Sequence, residues 1–483
     1  MKRFFYQLFI SVAVAQSAVA TVRYASPVGN DVNGTSAEQP GALAAMISKL
    51  SAGDTLYLLD GQYNLKENLK FSKTGTADHY ITIAAAEGAK PVLDFREEPN
   101  GTNGITVGGA YIHLRDLTIR YAGKKGLWLE GASYCILERL VVYGCCDSGI
   151  QLRKGGYNMV INCDSYDNFD YQANGGNADG FADKQGGAAY PGNIYIGCRA
   201  WGNSDDGWDS YERITDGTPT VYINCICYKN SPATFDLTNH PRVLGVDKEL
   251  SCFKGKDLSK MVASKGNPNG FKLGGNSTKH HTELYRCLSV GHRGKGFDQN
   301  SNAGQMLIVN CTAYDNNRNY YFYNNNGYHL TIHNSISLAP QSKDGFQSDV
   351  TTESHNSWSK GFTVSADNFE SLDVANLILA PRQPDGSLPL TPLLRLKSTA
   401  TNLIDRGMVF NGFSGDFIGD YVTYAGQAPD LGCYEYADVS GIFQIERSAD
   451  TLSVNAPRYD LQGRRVDASY HGIVVRQGRK YVQ

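Results

Sequence analysis

One segment pattern returns along this chain at a nearly constant interval. It reads "RDLTIRYAG" from Arg115, "ERLVVYGCC" from Glu138, "INCDSYDN" from Ile161, "IGCRAWGN" from Ile196, "INCICYKN" from Ile223, "YRCLSVGH" from Tyr285, "VNCTAYDN" from Val309 and "HNSISLAP" from His333. One column of that alignment holds Leu117, Leu140, Cys163, Cys198, Cys225, Cys287, Cys311 and Ser335. The steps are 23, 23, 35, 27, 62, 24 and 24 residues, so the period is near 23 and the longer steps carry insertions. A second column holds Gly126-Leu127, Gly149-Ile150, Gly180-Phe181, Gly207-Trp208, Gly270-Phe271, Gly296-Phe297 and Gly345-Phe346. Residues around both columns alternate as strands do, with Gly and Asn as punctuation. Short strands at this period, with no helix between them, predict an all-β chain folded as a right-handed parallel β-helix. Each coil buries its inward face only by stacking on its neighbours.

Stacking gives the columns their meaning. The cysteines become a ladder of small apolar side chains in the core, although 11 cysteines in an exported chain also keep disulfides between coils open. No CxxC pair or Cys/His metal spacing occurs. Asn168, Asn203, Asn230 and Asn316 each stand five positions after a column cysteine. They are expected to hydrogen-bond to one another at a turn that tolerates left-handed backbone. "PGALAAMISKL" (Pro40 to Leu50) is apolar at helical spacing and would cap the open N-terminal end of the coil. "AGDTLYLLDGQY" would then begin the strands. The repeat fades after about residue 350, residues 351–427 would lie along the coil as loops and short strands, and "APDLGCYEY" (Ala428 to Tyr436) would form the last strand pair.

The chain starts with Lys2 and Arg3, a short apolar run and Ala18-Val19-Ala20, the pattern of a cleaved export signal over residues 1–20. The β-helix would occupy residues 21–440. Residues 441–483 read as a small basic hairpin-like tail that resembles the C-terminal tails of exported bacterial proteins, either a sorting signal or a plain terminal hairpin. Charge is close to balanced, 45 basic against 48 acidic residues, which argues against a general nucleic-acid surface. No other stretch is apolar enough to span a membrane, and a secreted, periplasmic or surface-attached monomer is expected.

The chemistry lies in "NADGFADK" and "NSDDGWDS", which fall in consecutive coils. Aligned on Gly180 and Gly207, Asp179 stacks on Asp206, roughly one strand spacing away. Phe181 and Trp208 point inward, so Asp209 points outward, and Asp205 opens the strand. Four carboxylates on one patch repel unless a cation balances them. An all-oxygen set of mixed geometry suits Ca²⁺ better than Mg²⁺. "NGFKLGG" then puts Lys272 at the outward position that Asp209 holds one coil earlier, and "KGFDQN" repeats the register with Asp298. Aspartates alone would keep Lys272 protonated; a bound divalent cation would oppose them and let it act as a base. A base beside Ca²⁺ fits removal of the C5 proton of a uronate, followed by loss of the C4 glycosidic oxygen.

"NADGFADK", "SDDGWD" and "GFKLGG", in this order and register, resemble the motifs of the family 9 polysaccharide lyases, pectate-lyase-like enzymes with a parallel β-helix. The resemblance covers roughly residues 22–436. It implies Asp179, Asp205, Asp206 and Asp209 as Ca²⁺ ligands and Lys272 as catalytic base. It also implies an acidic pectic polysaccharide as partner, either polygalacturonate or rhamnogalacturonan I. Lys184, Tyr211, Arg213 and Lys295 flank the same face and are expected to bind neighbouring uronate carboxylates. Two other readings stay open on the residues alone. One is a β-helix glycoside hydrolase using Asp205 and Asp206 as an acid–base pair. The other is a carbohydrate-binding solenoid that leaves its ligand intact.

Overall fold

In the computed structural model the chain winds into a parallel β-helix. Residues 20–323, 327–347, 350–414 and 418–436 are described, together with four short strands at 458–459, 465–466, 473–476 and 479–482. The export signal expected at 1–20 lies outside the described residues except for Ala20. Ten full coils each contribute one strand to each of three sheets, and the first sheet carries one further strand at either end. The first sheet has 12 parallel strands from Val22–Ala25 to Thr351–Ser354. The second has 10, from Gly61–Asn64 to Ile336–Leu338, and the third 10, from Leu69–Phe71 to Gly345–Phe346. The strands begin earlier than "AGDTLYLLDGQY": Val22–Ala25 already pairs with Thr55–Leu58, because the capping helix Leu43–Lys49 follows the first strand. Leu43, Met46 and Ile47 of that helix are buried, as its spacing requires.

The expected columns are present. Cys163, Cys198, Cys225, Cys287 and Cys311 are fully buried, and all eleven cysteines are free thiols. Phe181, Trp208, Phe271, Phe297 and Tyr320 stack face to face, with ring centroids 4.4, 5.0, 5.1 and 5.0 Å apart. Such pairs add about 0.5–1.5 kcal/mol each beyond the area they bury. The glycine before each of the first four rings allows close approach; Asn319 stands before Tyr320. A Cβ on Gly207 would lie 2.6 Å from Cys227 Sγ and 2.8 Å from the Gly270 carbonyl oxygen.

The asparagine ladder runs from Asn168 Nδ2 to Asn203 Oδ1 (2.7 Å) and from Asn203 Nδ2 to Asn230 Oδ1 (2.9 Å). His292 fills the next rung, taking 3.2 Å contact from Asn230 and making 2.8 Å contact with Asn316 Oδ1. Burial pulls its pKa down to about 4, so the imidazole is neutral and can accept on one nitrogen and donate from the other. The left-handed residue, however, is the one before each asparagine: Asp167, Gly202, Lys229 and Asp315. The asparagines themselves turn inward and satisfy backbone groups.

Residues 358–414 and 418–436 cover the outside of the coil, chiefly as loops with the short helix Val374–Leu377. Phe369, Leu393, Leu396 and Leu403 pack on Leu288 and Ile336 of the second sheet. Ile418 and Val422 pack on Ile223 and Val309 of the first. Ala428 to Tyr436 is not a strand pair. Its backbone is held by single contacts, Leu431 N to Leu403 O (3.0 Å) and Gly432 N to Asn334 O (2.7 Å). The outward column of the third sheet belongs to none of the apolar clusters found among the described residues. The segments 458–459, 465–466, 473–476 and 479–482 pair as a four-stranded antiparallel sheet. Among the described residues no helix is long and apolar enough to cross a membrane.

Candidate active site

The third sheet sets the register of the site. Phe181 pairs with Trp208 and Ala182 with Asp209. Trp208 pairs with Phe271 and Asp209 with Lys272, and Lys272 in turn with Asp298. The aromatic rings fill the interior, so the alternation of a strand sends Asp209, Lys272 and Asp298 to the outer face. Asp179 and Asp206 open their strands just before the glycines.

Carboxylate oxygens of Asp179, Asp206 and Asp209 lie within 4.8 Å of one another, and all three residues are buried. Asp205 stands beside them, but its Oδ1 accepts the Asn267 N–H at 2.6 Å, turned toward the loop that precedes Lys272. Lys272 Nζ is 3.0 Å from Asp206 Oδ2 and 3.1 Å from Asp209 Oδ1. Its ammonium also sits over the Tyr211 ring, 5.7 Å from the centroid. The expected juxtaposition of amine and carboxylates is therefore what the fold produces.

The flanking residues divide. Lys184 is no rim residue: its Nζ bridges Asp179 Oδ2 (2.7 Å) and Asp209 Oδ2 (2.8 Å) inside the cluster. Tyr211 forms a wall against Lys272. Lys295 is partly exposed and reaches Asp298 Oδ2 at 3.2 Å. Arg213 departs from the sequence-based expectation. It is 0% exposed, lies 3.2 Å from Asp183 Oδ1 and donates to the carbonyls of Gly155 and Pro191 at 3.0 and 2.6 Å. Its charge is spent on the interior, because Asp183 is buried and needs a partner.

Several supporting groups carry no motif of their own. Asn269 donates from Nδ2 to Asp206 Oδ1 (2.9 Å) and accepts the Lys295 N–H on Oδ1 (2.9 Å), tying the cluster to the next coil. Ser148 Oγ donates to Asp179 Oδ2 at 2.9 Å. The position of Asn269 directly before Gly270, where Asp179 and Asp206 stand before their glycines, was the available signal for it.

Electrostatically the cluster is unbalanced. With all four carboxylates ionised, the two ammonium groups of Lys184 and Lys272 leave an excess of two negative charges, and in the absence of a cation burial raises Asp206 as well as Asp179 toward the protonated form. Burial and the neighbouring aspartates push Asp179 up to about 8 against the pull of Lys184. Burial would raise Asp209 too, but Lys184 and Lys272 outweigh it and hold it at about 2. Burial disfavours the Lys272 cation, yet Asp206 and Asp209 overcome it and raise its pKa well above the ordinary value. One divalent cation would close the deficit. Oxygen-only donors packed this closely fit a hard cation such as Ca²⁺.

Comparison with known proteins identifies the family. Residues 23–335 match the sequence profile of the family described as "Pel9A-like, right handed beta helix region". The chain is 33% identical over 435 residues to pectate lyase L of Dickeya dadantii, covering 87% of this chain and 92% of that one. It is 28% identical to pectate lyase PEL9 of Emericella nidulans, over 79% of this chain and 93% of that one. The crystal structure of pectate lyase Pel9A superposes with a TM-score of 0.73 at 31% identity, over 86% of this chain and 97% of that one. A rhamnogalacturonan lyase superposes with a TM-score of 0.65 at 22% identity, over 79% and 97%, a likeness of fold. The chain belongs to the Pel9A-like right-handed β-helix family, the family 9 polysaccharide lyases.

Proposed function

We propose that this enzyme is a Ca²⁺-dependent lyase that cleaves a galacturonate-containing pectic backbone, pectate or rhamnogalacturonan I, by β-elimination. The observation that carries the reading is the pairing of Lys272 with Asp209 across adjacent coils, with its amine 3.0 Å from Asp206. The relatives named pectate lyases, from a bacterium and a fungus, favour the pectate backbone.

Asp179, Asp206 and Asp209 would hold the cation, with Asp205 adding its charge beside them. Bound there, Ca²⁺ supplies neutralisation of the uronate carboxylate as negative charge develops on it. Lys272 gives up its proton once its carboxylate partners are engaged elsewhere, since those partners are what hold the proton in place. Its free amine takes the proton from C5. The C5–H electron pair becomes the C4=C5 double bond, the C4–O bond breaks, and the departing oxygen takes a proton from solvent. Asn269 and Ser148 keep the carboxylates aimed. Lys184, locked between Asp179 and Asp209, screens their repulsion; Tyr211 shields one side of the amine. Export as a monomer fits a polymer substrate too large to enter a cell.

The test separates elimination from hydrolysis. On polygalacturonate, the expected result is a rise in ultraviolet absorbance from the conjugated product, abolished by a chelator and restored by added calcium. New reducing ends without that absorbance would refute elimination and favour a hydrolase. Binding of the polymer without any new chain ends would refute catalysis.

A further inference from the structure

The outward column of the third sheet continues past Lys272 and Asp298 to Tyr321, two rungs from the base and roughly 10 Å along the coil axis. Lys295 and Arg318 pair with each other at the start of the same two strands. Both lean over the Tyr321 ring, Lys295 Nζ 5.5 Å and the Arg318 guanidinium 4.9 Å from its centroid. Gly345 pairs with Tyr321 on the following strand, and a Cβ there would meet the ring at 3.0 Å, so the glycine lets the ring lie close against that strand. The two cations differ in what they already hold. Lys295 is paired with Asp298, which is buried. Arg318 makes one hydrogen bond to the Lys343 carbonyl oxygen at 3.2 Å and has no ion pair among the described residues. A guanidinium held over an aromatic face, partly exposed, with Asp344 near enough to feel its charge but not closed into an ion pair with it, keeps its planar fork available to solvent.

We propose that Arg318, oriented by Tyr321 and seconded by Lys295, is a subsite that binds the carboxylate of a second uronate in the chain, two rungs from the residue being cleaved. This rests on the reading of the substrate as a uronate polymer lying along the coil axis. The subsite makes no contact with the reacting atoms. It positions the chain and selects for free carboxylates, since a methyl ester offers no charge and one fewer strong acceptor to the fork. It gives the groove a direction as well: acidic at the cleavage point, basic two rungs on.

The test is Arg318→Ala and Arg318→Lys, with Lys90→Ala on an exposed turn as a control for lost charge. For Arg318→Ala we expect KM on polygalacturonate to rise about tenfold while kcat changes less than about twofold, the signature of lost uniform binding. Arg318→Lys should recover part of the loss, because charge returns without the fork. On partly methyl-esterified pectin, which keeps free uronates for cleavage but seldom a second one two rungs on, Arg318→Ala should raise KM much less. An unchanged KM on polygalacturonate, or an equal rise on the esterified polymer, overturns the subsite. Calorimetric titration of polygalacturonate into Lys272→Ala with and without Arg318→Ala reads binding apart from turnover. Weaker binding there in a protein whose parent cleaves nothing would sink the lyase reading and leave the subsite standing. Normal binding beside intact cleavage would do the reverse.

Discussion

Replacing Lys272 by alanine should separate the amine's two roles, base and counter-ion. Its side chain is 9% exposed and touches two carboxylates at 3.0 and 3.1 Å. Removing one partner of a buried ion pair costs about 3–5 kcal/mol, because the remaining charge is left uncompensated. Without Lys272, four carboxylates face Lys184 alone. The metal-free variant should therefore melt well below the parent. Calcium should then do more for the variant than for the parent, since no ammonium competes for Asp206 and Asp209. Ligand stabilisation grows as RT ln(1 + [L]/Kd), so the tighter site gives the larger shift. Thermal melts with chelator and with saturating calcium measure both quantities. Turnover, followed by product absorbance, should fall about 10²–10⁴-fold for loss of a general base. A calcium-induced shift no larger than the parent's would refute the idea that Lys272 and the cation share the same carboxylates. Parent-like turnover would refute its role as base.

Two further outcomes test the scaffold. Asn203→Ala should destabilise the fold by about 1–3 kcal/mol, because the buried Asn168 N–H loses its acceptor on Asn203 Oδ1, while Asn168 Nδ2 and Asn230 Oδ1 each keep one other partner; chemical denaturation reads it, and a neutral result would show that the ladder is dispensable. Glu98 is buried, and burial pushes its pKa from 4.5 up to about 8 despite the Gly123 N–H and Arg242. The folded state therefore binds the proton more tightly than the unfolded one, and the stability this brings is complete below pH 4.5 and lost as pH rises through about 8. Glu98→Gln should flatten that part of the pH–stability curve, and a curve with the parent's slope would exclude Glu98 as its source.

A period near 23 residues was enough to establish the parallel coil, and with it the inward rings and the outward Asp209 and Lys272. Residues one period apart must lie over one another when strands stack at a fixed spacing. Register alone therefore brought Asp179, Asp206, Asp209 and Lys272 into one patch. What register could not give was where long side chains end. Lys184 and Arg213 looked alike in the sequence, cations beside an acidic motif. In the fold Lys184 bridges two of the carboxylates, while Arg213 turns into the interior to meet Asp183. That choice depends on which buried acid lacks a partner, a property of packing between coils and not of any one strand. Asn267 and Asn269 lie beyond a long insertion whose path no periodicity describes, and only tertiary contacts show them gripping Asp205 and Asp206. The same holds for the covering of the coil. The segment after residue 350 has no repeat, so only its apolar contacts reveal that its described residues pack on the first and second sheets.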